Sequence, residues 1–322
     1  MPTLQMQARK LLAAALCLAA VQAAQAEAGP GFVVHRYANP MAGHLNAYLI
    51  ETGAHVVVVD TGFGEIDGSA IRAMADAIGK PVAAVLLTHA HIDHYGGIGY
   101  VAGPDVPFVS GAGVGRHYDT WDPVYAARLP LPENRRRPDT LLADGAALSV
   151  DGVTITLHDA GAGESYDDVW FLAEADGQRA AFVGDIAMYG IPPFVQSGHS
   201  ADWLASLARL HAALAPDTPV YLGHDSRPDD ATWHPFDRGI LDEQADQLRA
   251  FRTAVAEAAA DGALDPAEID AVAAAMAARA DDPAYGFLAA LSAPVVAAEL
   301  SLEDAKAAME LQLRAVLAQL PD

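Results

Sequence analysis

The chain has 322 residues, 52% of them hydrophobic, enough to bury a sizeable core as one large domain or one and a half. Its 42 acidic residues against 19 basic ones give a formal net charge of −23, a surface that repels polyphosphates and excludes nucleic acid as a partner. The single cysteine, Cys17, falls within an N-terminal leader, so the rest of the chain can form no disulfide and offers no thiolate to a metal.

In chain order the leader comes first. Arg9 and Lys10 precede an apolar stretch over residues 11–24, and Ala24-Gln25-Ala26 supplies the small residues of a cleavage site. This is the pattern of a secretory signal peptide over residues 1–26. The stretch is too short to span a bilayer, and no basic amphipathic helix or apolar span is read after it. A soluble periplasmic or secreted protein, without membrane attachment after cleavage, is expected. Apolar runs at 45–50 and 56–59, split by Thr52-Gly53, read as a hairpin whose second arm ends in Asp60-Thr61-Gly62. The spacing of Ile71, Met74 and Ile78 predicts a helix over 69–78, stopped by Gly79.

Residues 82–87 then read as a buried strand, followed by Thr88-His89-Ala90-His91-Ile92-Asp93-His94-Tyr95-Gly96-Gly97. Three imidazoles and a carboxylate on one short turn do not build a core, because each desolvated polar group costs free energy unless it finds a partner. Neutral imidazole and carboxylate instead suit Zn²⁺ and other borderline first-row metals. So short a turn cannot aim four side chains at one ion, so alternate residues should diverge towards two. Strand, helix, strand, with the chemistry at a strand's carboxyl end, is the usual placement of a site in α/β layers.

Residues 101–144 are rich in Gly, Pro and Arg, include Tyr118, Trp121 and Tyr125, and read as a long loop without regular structure. Within it Arg135-Arg136-Arg137 reads as solvated charge that offsets local acidity. Short strands are predicted at 147–150, 153–157, 169–172 and 180–183, with Asp151-Gly152 and Asp176-Gly177 as turns. A helix over 200–214 carries the stripe Trp203, Leu207, Leu210 and Leu214, and a strand at 220–222 leads into Gly223-His224. Alanine-rich helices follow, with capping boxes beginning at Asp265 and Ser301, and are read mostly as packing. The expected division is a main domain over 27–230 and a helical extension over 231–322 packed on it.

The histidine motif after a strand, Asp60-Thr61-Gly62 upstream, and Gly184-Asp185 and Gly223-His224 downstream together resemble the metallo-β-lactamase-fold superfamily, over roughly residues 30–226. The resemblance implies an α/β fold, a four-layer αβ/βα sandwich with a dinuclear site at one edge of its two sheets, here with an added C-terminal helical segment. It implies two Zn²⁺ per chain, the first on His89 and His91, the second on Asp93, His94 and His224, with Asp185 bridging. Asp60 would orient the loop from behind. One position departs from the pattern: Gly161-Ala162-Gly163-Glu164 stands where the family usually has Gly-x-Gly-His. Glu164 would then be the third ligand of the first metal, with His158 as the alternative, and a carboxylate there shifts the site towards iron or manganese.

His44, His117 and His199 fall where they could line a pocket, while Tyr95, Tyr189 and Trp121 read as aromatic packing. The implied activity is that of a metal-dependent hydrolase acting on a small-molecule ester, lactone or amide, β-lactams included. A metal-activated water would be the nucleophile, and Asp93 and Asp185 the catalytic carboxylates. The lack of a Cys ligand argues against the β-lactamase branches that use one. The alternatives are an iron oxygenase of the persulfide dioxygenase kind and a non-catalytic metal-binding module.

Overall fold

The computed structural model describes residues 31–40, 43–127 and 132–301. The expected leader over 1–26, with Cys17, lies outside them, and the capping box begun at Ser301 runs outside them.

Period-two alternation in the strands accounts for the layering. In β1 (Val33–Asn39), β2 (Leu45–Glu51) and β3 (Val56–Val59) the chain makes an antiparallel meander, and β4 (Val82–Leu86), β5 (Phe108–Gly111) and β6 (Thr140–Leu142) extend it in parallel. All four residues of β3 are buried, as expected of a strand covered on both faces. Ala47, Leu49, Val56 and Val58 face the helix α1 (Glu65–Ile78) through Ile71 and Ala75. Their neighbours Tyr48, Ile50, Val57 and Val59 face the other way, onto Ile155, Leu157, Phe171 and Phe182.

Those partners belong to the second half, built from β7 (Ala147–Val150), β8 (Val153–Gly161), β9 (Asp168–Ala175), β10 (Gln178–Tyr189) and β11 (Val220–Asp225). On its outer face Ala181 and Val183 pack on Trp203, Leu207 and Leu210 of the helix α5 (Ser200–Ala213). Three apolar clusters therefore separate four layers, helix, sheet, sheet, helix, the expected αβ/βα sandwich. The strand order is β6-β5-β4-β3-β2-β11-β10-β9-β8-β7, and the two halves are joined through a single antiparallel pairing, His224 with Leu45.

Several elements differ from the sequence expectation. α1 starts at Glu65, four residues before the expected 69, with Glu65 and Asp67 in its first turn complementing the helix dipole. The region expected to be a loop over 101–144 contains β5, β6 and the helix α4 (Gly115–Ala126). Its apolar period is hidden because the buried residues are His117, Tyr118 and Trp121 and because Pro123 sits inside it. β10 does not stop at 183. It continues through Gly184 and Asp185 to Tyr189, with register shifts against β11 that let the polar residue sit inside a strand.

The C-terminal helices α6 (Ile240–Ala258), α7 (Pro266–Ala277) and α8 (Gly286–Ser301) join the same outer cluster as α5, through Leu248, Phe251, Met276, Ala289 and Val296. The capping box at the start of α7 forms as expected: Glu268 N donates to Asp265 Oδ1 at 2.8 Å and Asp265 N to Glu268 Oε2 at 2.7 Å. One expectation is corrected here. The stretch Pro283–Leu300 is long and apolar enough to cross a membrane by length and composition, with a mean hydropathy of 1.3. It packs on α6 and α7 with its small residues Ala289 and Ala293 fully buried, while 39% of the stretch is buried and Phe287 and Leu300 are exposed.

Two predicted turns meet at one carboxylate. Asp151, with φ 51°, accepts at Oδ2 from Thr52 Oγ1 and Ala54 N, each at 2.7 Å, and lies 3.0 Å from His55 Nδ1, so it ties the β7–β8 turn to the β2–β3 turn. Burial alone would raise this carboxyl, but the bonds from Thr52, Ala54 and His55 hold it below the ordinary carboxylate value. Its contribution is therefore full above about pH 4 and is lost as pH falls through the lowered native value. Asp151→Asn, which tolerates the left-handed backbone, should cost about 1–2 kcal/mol at pH 7. Urea unfolding is expected to show the gap to the unaltered chain narrowing at pH 3, and equal midpoints at pH 7 would refute the tie.

Candidate metal centre

The site grows from the carboxyl ends of β3 and β4, which lie side by side because the two strands are parallel. Asp60, at the end of β3 with φ 59°, accepts from Thr88 N at 3.0 Å and from Thr88 Oγ1 at 2.8 Å. Its Oδ2 also lies 2.9 Å from His94 Nδ1, which leaves His94 Nε2 facing the interior. Below the motif, Thr61 N donates to His94 O at 2.7 Å and Gly97 N to Gly62 O at 3.0 Å. A Cβ at Gly97 would stand 2.0 Å from Thr61 O, so glycine is what lets the two loops approach. His91 precedes the one-turn helix α2 (Ile92–Tyr95), which carries Asp93 and His94, and the equally short α3 (Ile98–Val101) follows.

The other half-sheet supplies the remaining groups. Glu164 lies on the loop between β8 and β9, Asp185 inside β10 and His224 on β11. Together these residues form two groups, each able to hold a metal ion: His89, His91, Glu164 and Asp185, and Asp93, His94 and His224. In the first, Glu164 Oε2 lies 2.9 Å from His91 Nδ1 and 3.3 Å from His89 Nε2. In the second, Asp93 Oδ2 lies 3.4 Å from His224 Nε2 and 3.8 Å from His94 Nε2. Asp185 Oδ2 reaches both, at 3.8 Å from His89 Nε2, 3.4 Å from His94 Nε2 and 3.2 Å from His224 Nε2. All seven are buried except Asp93, which is partly exposed and marks the open side.

Burial sets the protonation of the imidazoles against their neighbours. It pushes His89 and His91 below the ordinary value, with His94 adding to the effect at His89. Burial also opposes charge on His94 and His224, but Asp185 and Asp93 outweigh it, holding His94 well above the usual range and His224 at about 10. Among the carboxyls, burial would raise Asp93 and Asp185, yet His94 and His224 bring Asp93 to about 2 and hold Asp185 well below its usual value. Glu164 goes the other way, pushed well above by burial and then by Asp185, Asp168 and Asp93.

These residues fit divalent metal. Among the described residues, His94 Nε2, Glu164 Oε2 and Asp185 Oδ1 are buried without a hydrogen-bond partner, an expensive state for polar atoms that a cation relieves. Gly223 keeps the space open: a Cβ there would stand 1.9 Å from Asp185 Oδ1 and 3.0 Å from His94 Cε1.

Other candidates are placed elsewhere. His158 stacks on Trp170, centroids 4.1 Å apart, and lies 4.0 Å from Asp144, which removes it as an alternative to Glu164. His44 faces Asp282 at 2.9 Å, and His199 faces Asp202 at 3.2 Å. His117 is buried with its ring 4.5 Å from that of His91. Tyr95 Oη donates to Asp122 at 2.7 Å and Tyr189 packs on Phe236, both as packing residues. The three arginines pair with acids as expected, Arg135 with Asp122, Arg136 with Asp139 and Arg137 with Asp119, but Arg135 and Arg136 are partly buried rather than solvated.

Two features escaped the sequence reading. Asp168, four residues after Glu164, accepts from Ser165 N and Oγ, and burial pushes its carboxyl up to about 6 against those bonds. On α4, His117, Trp121 and Tyr125 stack in turn at i, i+4 and i+8, a helical stripe leading away from His91 that could have been noticed by its spacing.

The sequence profile of the metallo-beta-lactamase superfamily matches residues 41–224. Among curated proteins, the chain is 30% identical over 190 residues to the lactamase-like protein adaB of Aspergillus niger, covering 58% of this chain and 51% of that one. It is 33% identical over 143 residues to an atrochrysone carboxyl ACP thioesterase of Passalora fulva, covering 44% of this chain and 37% of the other. The chain thus spans about half the length of adaB, or less in the case of the thioesterase. A metallo-beta-lactamase from Pontibacter korlensis superimposes with a TM-score of 0.52 at 19% identity, over 69% of this chain and 96% of that structure, a likeness of fold alone. With the profile matched over more than half its length, the chain belongs to the metallo-beta-lactamase superfamily.

Proposed function

We propose that this chain is an exported metal-dependent hydrolase that holds two Zn²⁺ ions and cleaves an acyl bond, an ester, thioester, lactone or amide, in a small molecule. The observation that carries the reading is Asp185, whose Oδ2 lies within 3.8 Å of His89, His94 and His224 and so serves both ligand groups at once. His89, His91 and Glu164 complete the first group, and Asp93, His94 and His224 the second. When bound, such ions supply Lewis acidity and bring a coordinated water's pKa towards neutrality.

The chain's own residues orient and hold charge. Asp60 fixes the ring of His94, and the Gly43 carbonyl, 2.6 Å from His224 Nδ1, fixes that of His224. Asp93, ionised and partly exposed, turns Oδ2 to His224 and His94, and its other carboxylate oxygen would accept a hydrogen bond that orients a water on the open side. No serine or cysteine nucleophile is required. The thioester is included because the Passalora fulva relative is named a thioesterase. Glu164 adds an oxygen donor to the first group, which supports iron or manganese as substitutes for zinc. Export is inferred from Arg9, Lys10, the apolar stretch over 11–24 and the small residues at 24–26.

Elemental analysis of protein purified without chelators should find two zinc ions per chain. Asp185→Ala and His91→Ala should each keep the fold and lose turnover, and full activity in a folded, metal-free Asp185→Ala protein would end the two-metal reading. In Gly223→Ala a methyl group enters the space beside Asp185 and His94, and metal affinity should fall about 10–100-fold with the far-ultraviolet circular dichroism unchanged. For export, N-terminal sequencing of the periplasmic or secreted protein should begin at Glu27. An intact leader on the accumulated protein would contradict it.

A further inference from the structure

The C-terminal helices supply partners to backbone groups of the segment that runs from the end of β10 to the start of α5. Gln244 Oε1 on α6 accepts from Met188 N at 2.9 Å, Ser292 Oγ on α8 accepts from Val195 N at 2.9 Å, and Glu299 Oε1 accepts from Ser200 N at 2.8 Å. The turn between α7 and α8, which contains the short 3₁₀ segment Pro283–Tyr285, reaches closer to the site. Asp282 N donates to Gly190 O at 3.0 Å, just past the end of the strand that carries Asp185.

The same turn grips the entry to β2. Asp282 Oδ2 lies 2.9 Å from His44 Nε2, while Tyr285 Oη accepts from Gly43 N at 3.1 Å and donates to Pro40 O at 3.3 Å. Gly43 and His44 both have left-handed backbones, φ 66° and 59°. For a residue with a side chain this conformation costs about 1–2 kcal/mol, so the His44 turn is held from outside rather than by its own preference. From the other side of that turn, Gly43 O accepts from His224 Nδ1 at 2.6 Å and His44 O accepts from Asp225 N at 3.0 Å. Gly43 is packed between the two: a Cβ there would lie 3.5 Å from the His224 ring and 3.8 Å from Tyr285 Cε1.

We propose that Asp282 and Tyr285 are positioning residues for His224. Their hold on Gly43 and His44 fixes the carbonyl that orients the imidazole, so that Nε2 faces Asp93 and Asp185. The C-terminal segment thereby sets the affinity of the second metal group while leaving the first, on His89, His91 and Glu164, untouched. This inference rests on the two-metal reading given above. It assigns the extension a part in the site beyond packing.

The test is zinc release to a chromophoric chelator, with zinc per chain counted by elemental analysis, for the full chain and for Tyr285→Phe, Asp282→Ala and the double variant. Ser292→Ala serves as the comparison, because it removes a bond from the same segment without touching the path to His224. One zinc ion should be released about tenfold more readily from Tyr285→Phe and Asp282→Ala, at the lower end of what outer-shell partners contribute, and the other should be unchanged. Ser292→Ala should lower the melting temperature and leave both ions at the original affinity. If the unaltered chain holds two ions and the Tyr285 and Asp282 variants hold both as tightly, this inference is overturned while the two-metal reading stands. Equal weakening in Ser292→Ala would also overturn it, by showing general destabilisation. If the unaltered chain itself holds fewer than two ions, the two-metal reading fails and the inference with it.

Discussion

Carboxyl groups gathered in one place with histidine, and neither lysine nor arginine, as their ion-pair partners are the constraint around which this structure is arranged. Asp93, Glu164, Asp168 and Asp185 converge on one small volume, and among the described residues the ion-pair contacts of Asp93, Glu164 and Asp185 are with imidazoles, not with lysine or arginine. Such a set is costly unless a cation completes it. The surroundings are tied in place: Asp60 and Thr88 bind the first loop, Ser165 binds Asp168, and Gly97 and Gly223 stand where a side chain would meet Thr61 O and Asp185.

The placement of that charge explains why the two half-sheets need each other. His89, His91, Asp93 and His94 come from the first half, and Glu164, Asp185 and His224 from the second. The halves share one sheet pairing, His224 with Leu45, and are joined besides by the bonds from Val169 N to Thr88 O at 2.9 Å and from Tyr48 Oη to Leu222 O at 2.7 Å and by the apolar layer between them. An ion held by ligands from both sides would add its binding free energy to the cohesion of the sandwich, so occupancy and stability are linked. Asp151 ties a turn of each half to the other by a separate carboxylate.

Much of the site was legible in the sequence because its signals are local. The run from His89 to His94, the Asp60 turn and the pairs Gly184-Asp185 and Gly223-His224 each carry polar residues at the end of an apolar run. The four-layer order was legible through family resemblance rather than periodicity, since β3 is buried on both faces and shows no alternation. α4 escaped because its buried face is built from His117, Tyr118 and Trp121 and contains no aliphatic stripe. Asp185 was expected as a ligand just past a strand ending at 183, and only the irregular register of β10 against β11 shows how the strand itself accommodates it. The hold of Tyr285 on Gly43 joins residues 242 positions apart, a distance at which no short-range pattern speaks.

Burial is uneven across the two ligand groups. His89, His91, Glu164 and Asp185 are all enclosed, whereas Asp93 keeps part of its side chain in solvent. Exchange of an ion requires solvent to replace ligands one at a time, and Asp93 is where that replacement can begin. The two positions would therefore differ in lability, with the ion on Asp93, His94 and His224 first to enter into equilibrium with the medium.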